Sequence, residues 1–169
     1  ATPLPLRFGS VFADEGALRA VLAERADVLL AALERVAGKV EMGVAVGWDP
    51  GAARERILAA HPELRPAEEK PATGRAYLEA RRREHAVEAA LRGEAEALLD
   101  RLSSAVGEVL PGAEEVRTVL PAAGMAGTLA HLVLQGNVSS YREAVERVSG
   151  DVPDAEIRLS GPWAPYSFV

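Results

Sequence analysis

From Lys39 onward the chain changes between two hydrophobic periods, and each change marks an element. Val40, Met42, Val44 and Val46 alternate with Lys39, Glu41, Gly43 and Ala45, the two-residue repeat of a strand. Asp49-Pro50 is a helix start with proline at the first helical position, and Ile57-Leu58 anchor the short helix. Residues 61–73 carry Pro62, Pro66 and Pro71 and read as a loop-like insertion. A long helix is predicted from about Arg75 to Val106. Its second half lines Val87, Leu91, Leu98, Leu99, Leu102 and Val106 along one side. Its first half offers only Tyr77 and Leu78 as large apolar residues, beside Arg81, Arg82 and Arg83. Strands follow at Glu115–Leu120 and Leu129–Leu134, with Gly124 and Gly127 marking the turn between them. A helix capped by Ser139 or Ser140 reaches Val148, and a last strand covers Ala155–Leu159. Gly161 to Val169 is an aromatic, proline-rich tail.

Upstream, Leu4 to Phe12 alternates apolar with small or polar residues and predicts another strand. Leu18, Val21, Leu22, Val28, Leu29, Leu33 and Val36 then recur at three- and four-residue steps between Asp14 and Gly38. This predicts one amphipathic helix with an aspartate N-cap and a glycine terminator. A lone strand is not stable, so residues 1–37 read as the remnant of an N-terminal α+β domain and the chain as a fragment.

The order from residue 38 is strand, helix, long inserted helix, strand, strand, helix, strand. That is the split βαββαβ order of a ferredoxin-like domain, so the predicted fold class is α+β, with residues 38–169 as a modified ferredoxin-like C-terminal domain. In that topology the first and third strands lie centrally. Leu129–Leu134 is apolar on both sides, as a strand covered on both faces should be. Glu115, Arg117, Glu156 and Arg158 on the other two strands read as exposed edge positions.

Composition adds exclusions. The 169 residues are 49% hydrophobic and 26% charged, which rules out disorder as the main state. A net charge of −6 argues against a nucleic-acid binder, and Leu129–Leu134 lacks the aromatics on which RNA-binding βαββαβ domains stack bases. The absence of cysteine removes disulfides, thiolate metal sites and cysteine nucleophiles, and it fits a reducing compartment. Apolar runs are far shorter than the roughly 20 residues of a membrane span.

Candidate chemistry is sparse. His61, His85 and His131 share no metal-ligand spacing. His131, in mid-strand, reads as a satisfied interior or interface histidine and not a ligand, and His85 as part of a solvated face. Glu68-Glu69 and Glu114-Glu115 are sequence neighbours without a shared pocket, and Gly124–Gly127 lacks the flanking basic residues of a backbone-clamping loop. Arg81-Arg82-Arg83 is flanked by Glu79, Glu84 and Glu88 at helical spacing, so it reads as laced with surface ion pairs. No nucleophile–base pairing, metal site or cofactor site emerges. The aromatic tail is expected to fold back on its own domain, because a free apolar terminus would promote aggregation.

Four segments carry a family resemblance. They are Leu4-Pro5-Leu6-Arg7-Phe8-Gly9 with Val11-Phe12, Gly38-Lys39-Val40-Glu41 with Gly43-Val44, Gly74-Arg75-Ala76-Tyr77-Leu78-Glu79, and Gly161-Pro162-Trp163-Ala164-Pro165-Tyr166-Ser167-Phe168. In this order and spacing the chain resembles the GvpF/GvpL family of gas vesicle proteins. The resemblance implies two α+β domains, the second a modified ferredoxin-like fold, and a non-enzymatic accessory role in gas vesicle assembly. It also implies a cytoplasmic location on the vesicle or its nascent shell. The implied partners are the apolar shell subunit GvpA and other gas vesicle accessory proteins, with GvpA kept from aggregating or the shell nucleated. It brings no catalytic, metal or cofactor residue.

The partner-binding candidates are accordingly Tyr77, Leu78, Arg81, Arg82 and Arg83 on the long helix and Trp163, Tyr166 and Phe168 in the tail, together with any sheet face left uncovered. The alternative reading is a ferredoxin-like small-molecule-sensing module with its pocket at Gly124–Gly127. An enzyme whose groups converge only in three dimensions ranks third.

Overall fold

The computed structural model describes residues 2–6, 9–65, 73–120, 124–152 and 155–169. Four strands form one sheet: β1 (Lys39–Trp48), β2 (Glu114–Val119), β3 (Met125–Leu134) and β4 (Ala155–Trp163), in the order β2-β3-β1-β4. All three neighbouring pairs are antiparallel, so β1 and β3 are central, as the element order predicts. The helices are α1 (Glu15–Glu24), α2 (Ala26–Val36), α3 (Pro50–Ala60), α4 (Gly74–Val109) and α5 (Val138–Gly150).

The core lies between the sheet and α4 with α5. Met42, Val44 and Val46 from β1 and Leu129 and Val133 from β3 meet Leu98, Leu99, Leu102 and Val106 of α4, with Tyr141 and Val145 of α5 closing the layer. The period-2 and period-3.6 stripes read from the sequence are thus the two halves of one interface. Local chemistry sets the helix starts. Asp49 Oδ1 accepts the Gly51 N–H at 2.7 Å, and Thr73 Oγ1 accepts the Ala76 N–H at 3.2 Å. Both occupy N-termini, where backbone donors lack intrahelical partners. At α5 the sequence expectation is corrected: the helix opens at Val138 behind a short 3-10 turn, without a side-chain cap from Ser139 or Ser140.

β3 begins at Met125, so Gly127 belongs to a strand and not to a turn. A Cβ there would lie 2.2 Å from Thr118 O and 2.8 Å from Leu99 Cδ1. The glycine lets β2, β3 and α4 close on one another.

Two further expectations are corrected. Among the described residues before Glu15, none is in a strand; Arg7 and Phe8 lie outside the described residues. Instead Thr2 Oγ1 donates to Lys39 O at 3.2 Å, and Leu4 packs on a second small core of Val36, Leu132 and Phe168. Of the alternating apolar residues Leu4 packs on the sheet face, whereas Leu6 and Val11 are exposed. The single helix predicted over 14–38 is interrupted at Arg25, whose ψ of 13° departs from helical geometry. Of α1 and α2, only Val36 is buried.

The edges differ too. Glu156 and Arg158 on β4 are exposed, as expected. Glu115 and Arg117 on β2 instead point under the sheet, where Ser103 and Asp100 of α4 and His131 of β3 supply polar partners. Full pairing is what makes charged groups tolerable there.

Candidate partner-binding surfaces

The tail divides between inside and outside. Phe168 is 4% exposed and fills the second small core beside Val36 and Leu132. Its backbone is fastened from three sides. The Glu41 carboxylate accepts the Ser167 N–H at 2.7 Å and its hydroxyl at 2.8 Å. Arg35 at the end of α2 donates to Phe168 O at 3.0 Å and pairs with Glu114 of β2. Arg142 of α5 donates to Gly161 O at 2.9 Å. Trp163 and Tyr166 are left outward, 59% and 60% exposed. The expectation that the tail folds back therefore holds for Phe168 and fails for the other two aromatics, since the cluster around Val36 takes one ring.

Glu41→Ala removes the acceptor for two hydrogen bonds to the tail. It is expected to cost about 1 kcal/mol in urea unfolding and to speed limited proteolysis after residue 160. The sheet should keep its circular dichroism.

On the same side of the sheet, Gly43, Ala45, Val116, Thr118, Thr128 and Ala130 line a shallow open depression, with Ser160 and Ser167 at its rim. Its small side chains explain why β3 reads as apolar on both faces. Leu132 is covered by α2 and the tail, whereas Ala130 is only half-buried.

The first half of α4 is the other candidate. Tyr77 and Leu78 are 56% and 59% exposed, and Arg81 and Arg82 are exposed beside them. The expected ion-pair lacing is overturned. Glu79 pairs with Arg75, Glu84 is taken by Arg54 reaching across from α3 at 2.8 Å, and Glu88 faces His85 at 3.1 Å. Among the described residues neither Arg81 nor Arg82 makes an ion pair, and Arg81 acts on Glu84 only through a longer-range attraction, weaker than that of Arg54. Arg83 leans back to Glu79 O.

A polar cluster that sequence reading missed lies under the sheet. His131 is buried at 2% exposure. Its Nδ1 lies 3.0 Å from Tyr141 Oη and its Nε2 3.0 Å from Glu115 Oε2. Burial holds the His131 pKa below the usual imidazole value against the pull of Glu115. Burial disfavours the Glu115 carboxylate most of any single influence, but hydrogen bonds from Ser103 and Arg117 overcome it and set its pKa low. Burial pushes the Tyr141 hydroxyl well above its ordinary range. A neutral imidazole beside an ionised carboxylate donates Nε2–H to Glu115 and accepts the Tyr141 O–H at Nδ1. The cluster closes on itself, with each polar group answered by another. The one sequence signal was a histidine in mid-strand among apolar residues.

Glu68 and Glu69 lie outside the described residues. Among the described residues no group of three or more His, Asp or Glu could hold a metal ion, and no helix is long and apolar enough to cross a membrane. The Gly124–Gly127 segment gives no cradle at Gly127, whose free side is filled by Thr118 O and Leu99.

Comparison with known proteins bears on these surfaces. The family described as gas vesicle synthesis protein GvpL/GvpF matches residues 1–169. Gas vesicle protein L of Streptomyces sp. (strain CB03234) is 35% identical over 99% of this chain and 62% of its own length. Gas vesicle protein F of the same strain is 29% identical over 98% of this chain and 69% of its own length. The chain thus spans about two thirds of these relatives. In fold it is similar to the crystal structure of GvpF from Anabaena sp. PCC7120, with a TM-score of 0.80 and 22% identity over 98% of this chain and 68% of that one. GvpF from Microcystis aeruginosa superposes with a TM-score of 0.80 at 18% identity, over 98% of this chain and 69% of that one. An α+β chain with its four-stranded antiparallel sheet, matched from end to end, belongs to the GvpL/GvpF family of gas vesicle proteins.

Proposed function

We propose that this chain acts in gas vesicle assembly as a non-enzymatic, cytoplasmic binding protein that covers apolar surface on the GvpA shell subunit and meets other gas vesicle accessory proteins. Family membership supports the gas vesicle role. The observation that carries the finer reading is the α1–α2 pair. It buries only Val36 and leaves Val21, Leu22, Val28, Leu30 and Leu33 exposed. Scattered apolar residues are ordinary on a protein surface, but a run of them on neighbouring turns marks a place where another apolar surface binds. A shell-forming subunit exposes such surface before it polymerises. A partner that binds the unassembled form holds it back from non-specific collapse. Tyr166 and Trp163 of the tail are also exposed, and the tail meets α2 at Val36 and Phe168.

The test is dilution of denatured shell subunit into buffer with or without an equimolar amount of the chain, followed by light scattering. The chain is expected to suppress scattering. The variant V28D/L30D is expected to lose the effect while its Tm stays within about 2 °C of the parent, as for surface substitutions generally. Unchanged scattering with the folded parent chain would count decisively against shell-subunit binding.

A further inference from the structure

The exposed face of α4 combines two features on one helix surface: apolar anchors and the arginines Arg81 and Arg82, which make no ion pair among the described residues. Leu78, Arg81, Arg82, His85 and Arg92 recur at steps of three, four and seven residues, so they share one side of the helix, with Tyr77 at its border. All six are exposed. The opposite side is occupied: Val87 is buried, and Arg54 and Arg56 of α3 reach over to Glu84 and Glu94. The glutamates at helical spacing are held chiefly by other partners, Glu79 by Arg75 and Glu84 by Arg54, and Arg81 adds only a weaker, longer-range attraction to Glu84. In a chain with a net charge of −6, this is a local reversal of sign.

From this geometry we propose that the Leu78–Arg92 face of α4 is a docking surface for an acidic amphipathic helix of another protein. The two helices would lie side by side. Leu78 and Tyr77 would enter its apolar seam, and Arg81, Arg82 and Arg92 would meet carboxylates along its flank. This rests on the reading of the chain as a binding protein, but it concerns a surface separate from α1–α2. A nucleic acid or anionic bilayer fits less well. Both present an unbroken negative field, which Glu79 and Glu88 would interrupt at neighbouring turns. Discrete pairing with spaced carboxylates avoids those positions. Charges at a rim steer and orient an encounter, while the apolar contacts hold it.

The probe is a synthetic, fluorescently labelled helical peptide with leucine at heptad a and d positions and glutamate at e and g, titrated with the full chain. Binding is expected to weaken steeply with salt. R81E/R82E is expected to bind about tenfold more weakly, from two reversed charge contacts. Leu78→Ala should weaken binding without changing the salt dependence. Both variants should keep the parent Tm, since these side chains touch nothing in the core. Equal peptide affinity for the parent and R81E/R82E would overturn the proposal. So would tighter binding of the parent to phosphatidylglycerol vesicles or duplex DNA than to the peptide. The shell-subunit scattering assay separates this surface from the first one. R81E/R82E should still suppress scattering, and V28D/L30D should still bind the peptide. The reverse pattern would overturn the assignment of the peptide to α4.

Discussion

Gly127→Ala is expected to lower the unfolding free energy by about 3 kcal/mol, at the upper end of overpacking costs, and Tm by roughly 6–12 °C. The added methyl carbon would sit 2.2 Å from Thr118 O and 2.8 Å from Leu99 Cδ1. Leu99 can change rotamer. Thr118 O cannot, because it belongs to the backbone of β2, which pairs with β3 through Thr118–Thr128 and Val119–Gly127. Relief requires the end of β2 to move off the sheet, taking Arg117 and its contacts to Asp100 and Glu115 with it. Gly107→Ala supplies the control. Its Cβ meets nothing within 4 Å on a helix, and the change should raise stability by up to about 1 kcal/mol. Urea melts of the two variants should therefore shift in opposite directions. Matching midpoints would show that the close approach at Gly127 is not what the variant disturbs.

His131→Ala should cost about 3–4 kcal/mol, the sum of a core cavity and an orphaned Tyr141 hydroxyl. Its pH signature is the more discriminating readout. The imidazole pKa is lowered in the folded chain relative to its ordinary value of 6.5, so the unfolded chain takes up the proton first as pH falls. Folding stability is then complete above about pH 7, declines as pH drops through 6.5, and levels once the folded imidazole also protonates. Glu115 adds a second decline at lower pH. Its folded pKa is below the usual 4.5, so stability present above that value is lost as pH falls through the folded pKa. His131→Phe preserves most of the volume and should abolish the first decline while keeping the second. Combined with Tyr141→Phe, it should cost less than the sum of the two single changes, because the two groups serve each other at 3.0 Å. A parent chain equally stable at pH 7.5 and pH 5.5 would contradict this account.

The parts of the fold legible in the sequence are those where one period reports one environment. Val40 to Val46 and Leu98 to Val106 each have an apolar stripe whose partner is a single surface, so pattern and burial coincide. Legibility failed where a residue type has two stable settings. Glu115 and Arg117 look alike whether they face water or a buried histidine, and only the position of Ser103 and Asp100 on the facing helix decides it. The stripe from Leu18 to Val36 promised a buried helix face and instead is largely open, because amphipathicity records a capacity for burial and names no partner. At Arg81 and Arg82 helical spacing to glutamates predicted ion pairs. Arg54, 30 residues earlier in the chain and brought near only by packing of α3, took Glu84 first. Within the tail, no sequence pattern separates Phe168 from Trp163 and Tyr166; the distinction appears only in the folded chain, where Phe168 joins Val36 and Leu132.

The continuity of α4 has a mechanical consequence. Its 36 residues make a rod about 54 Å long at the usual helical rise. The part from Val87 to Val106 is clamped by the core, and its first three turns contain no buried residue. Force applied near Leu78 is therefore transmitted along an unbroken column of backbone hydrogen bonds and not absorbed by a hinge. Two points at opposite ends of such a strut are kept at a set distance and angle.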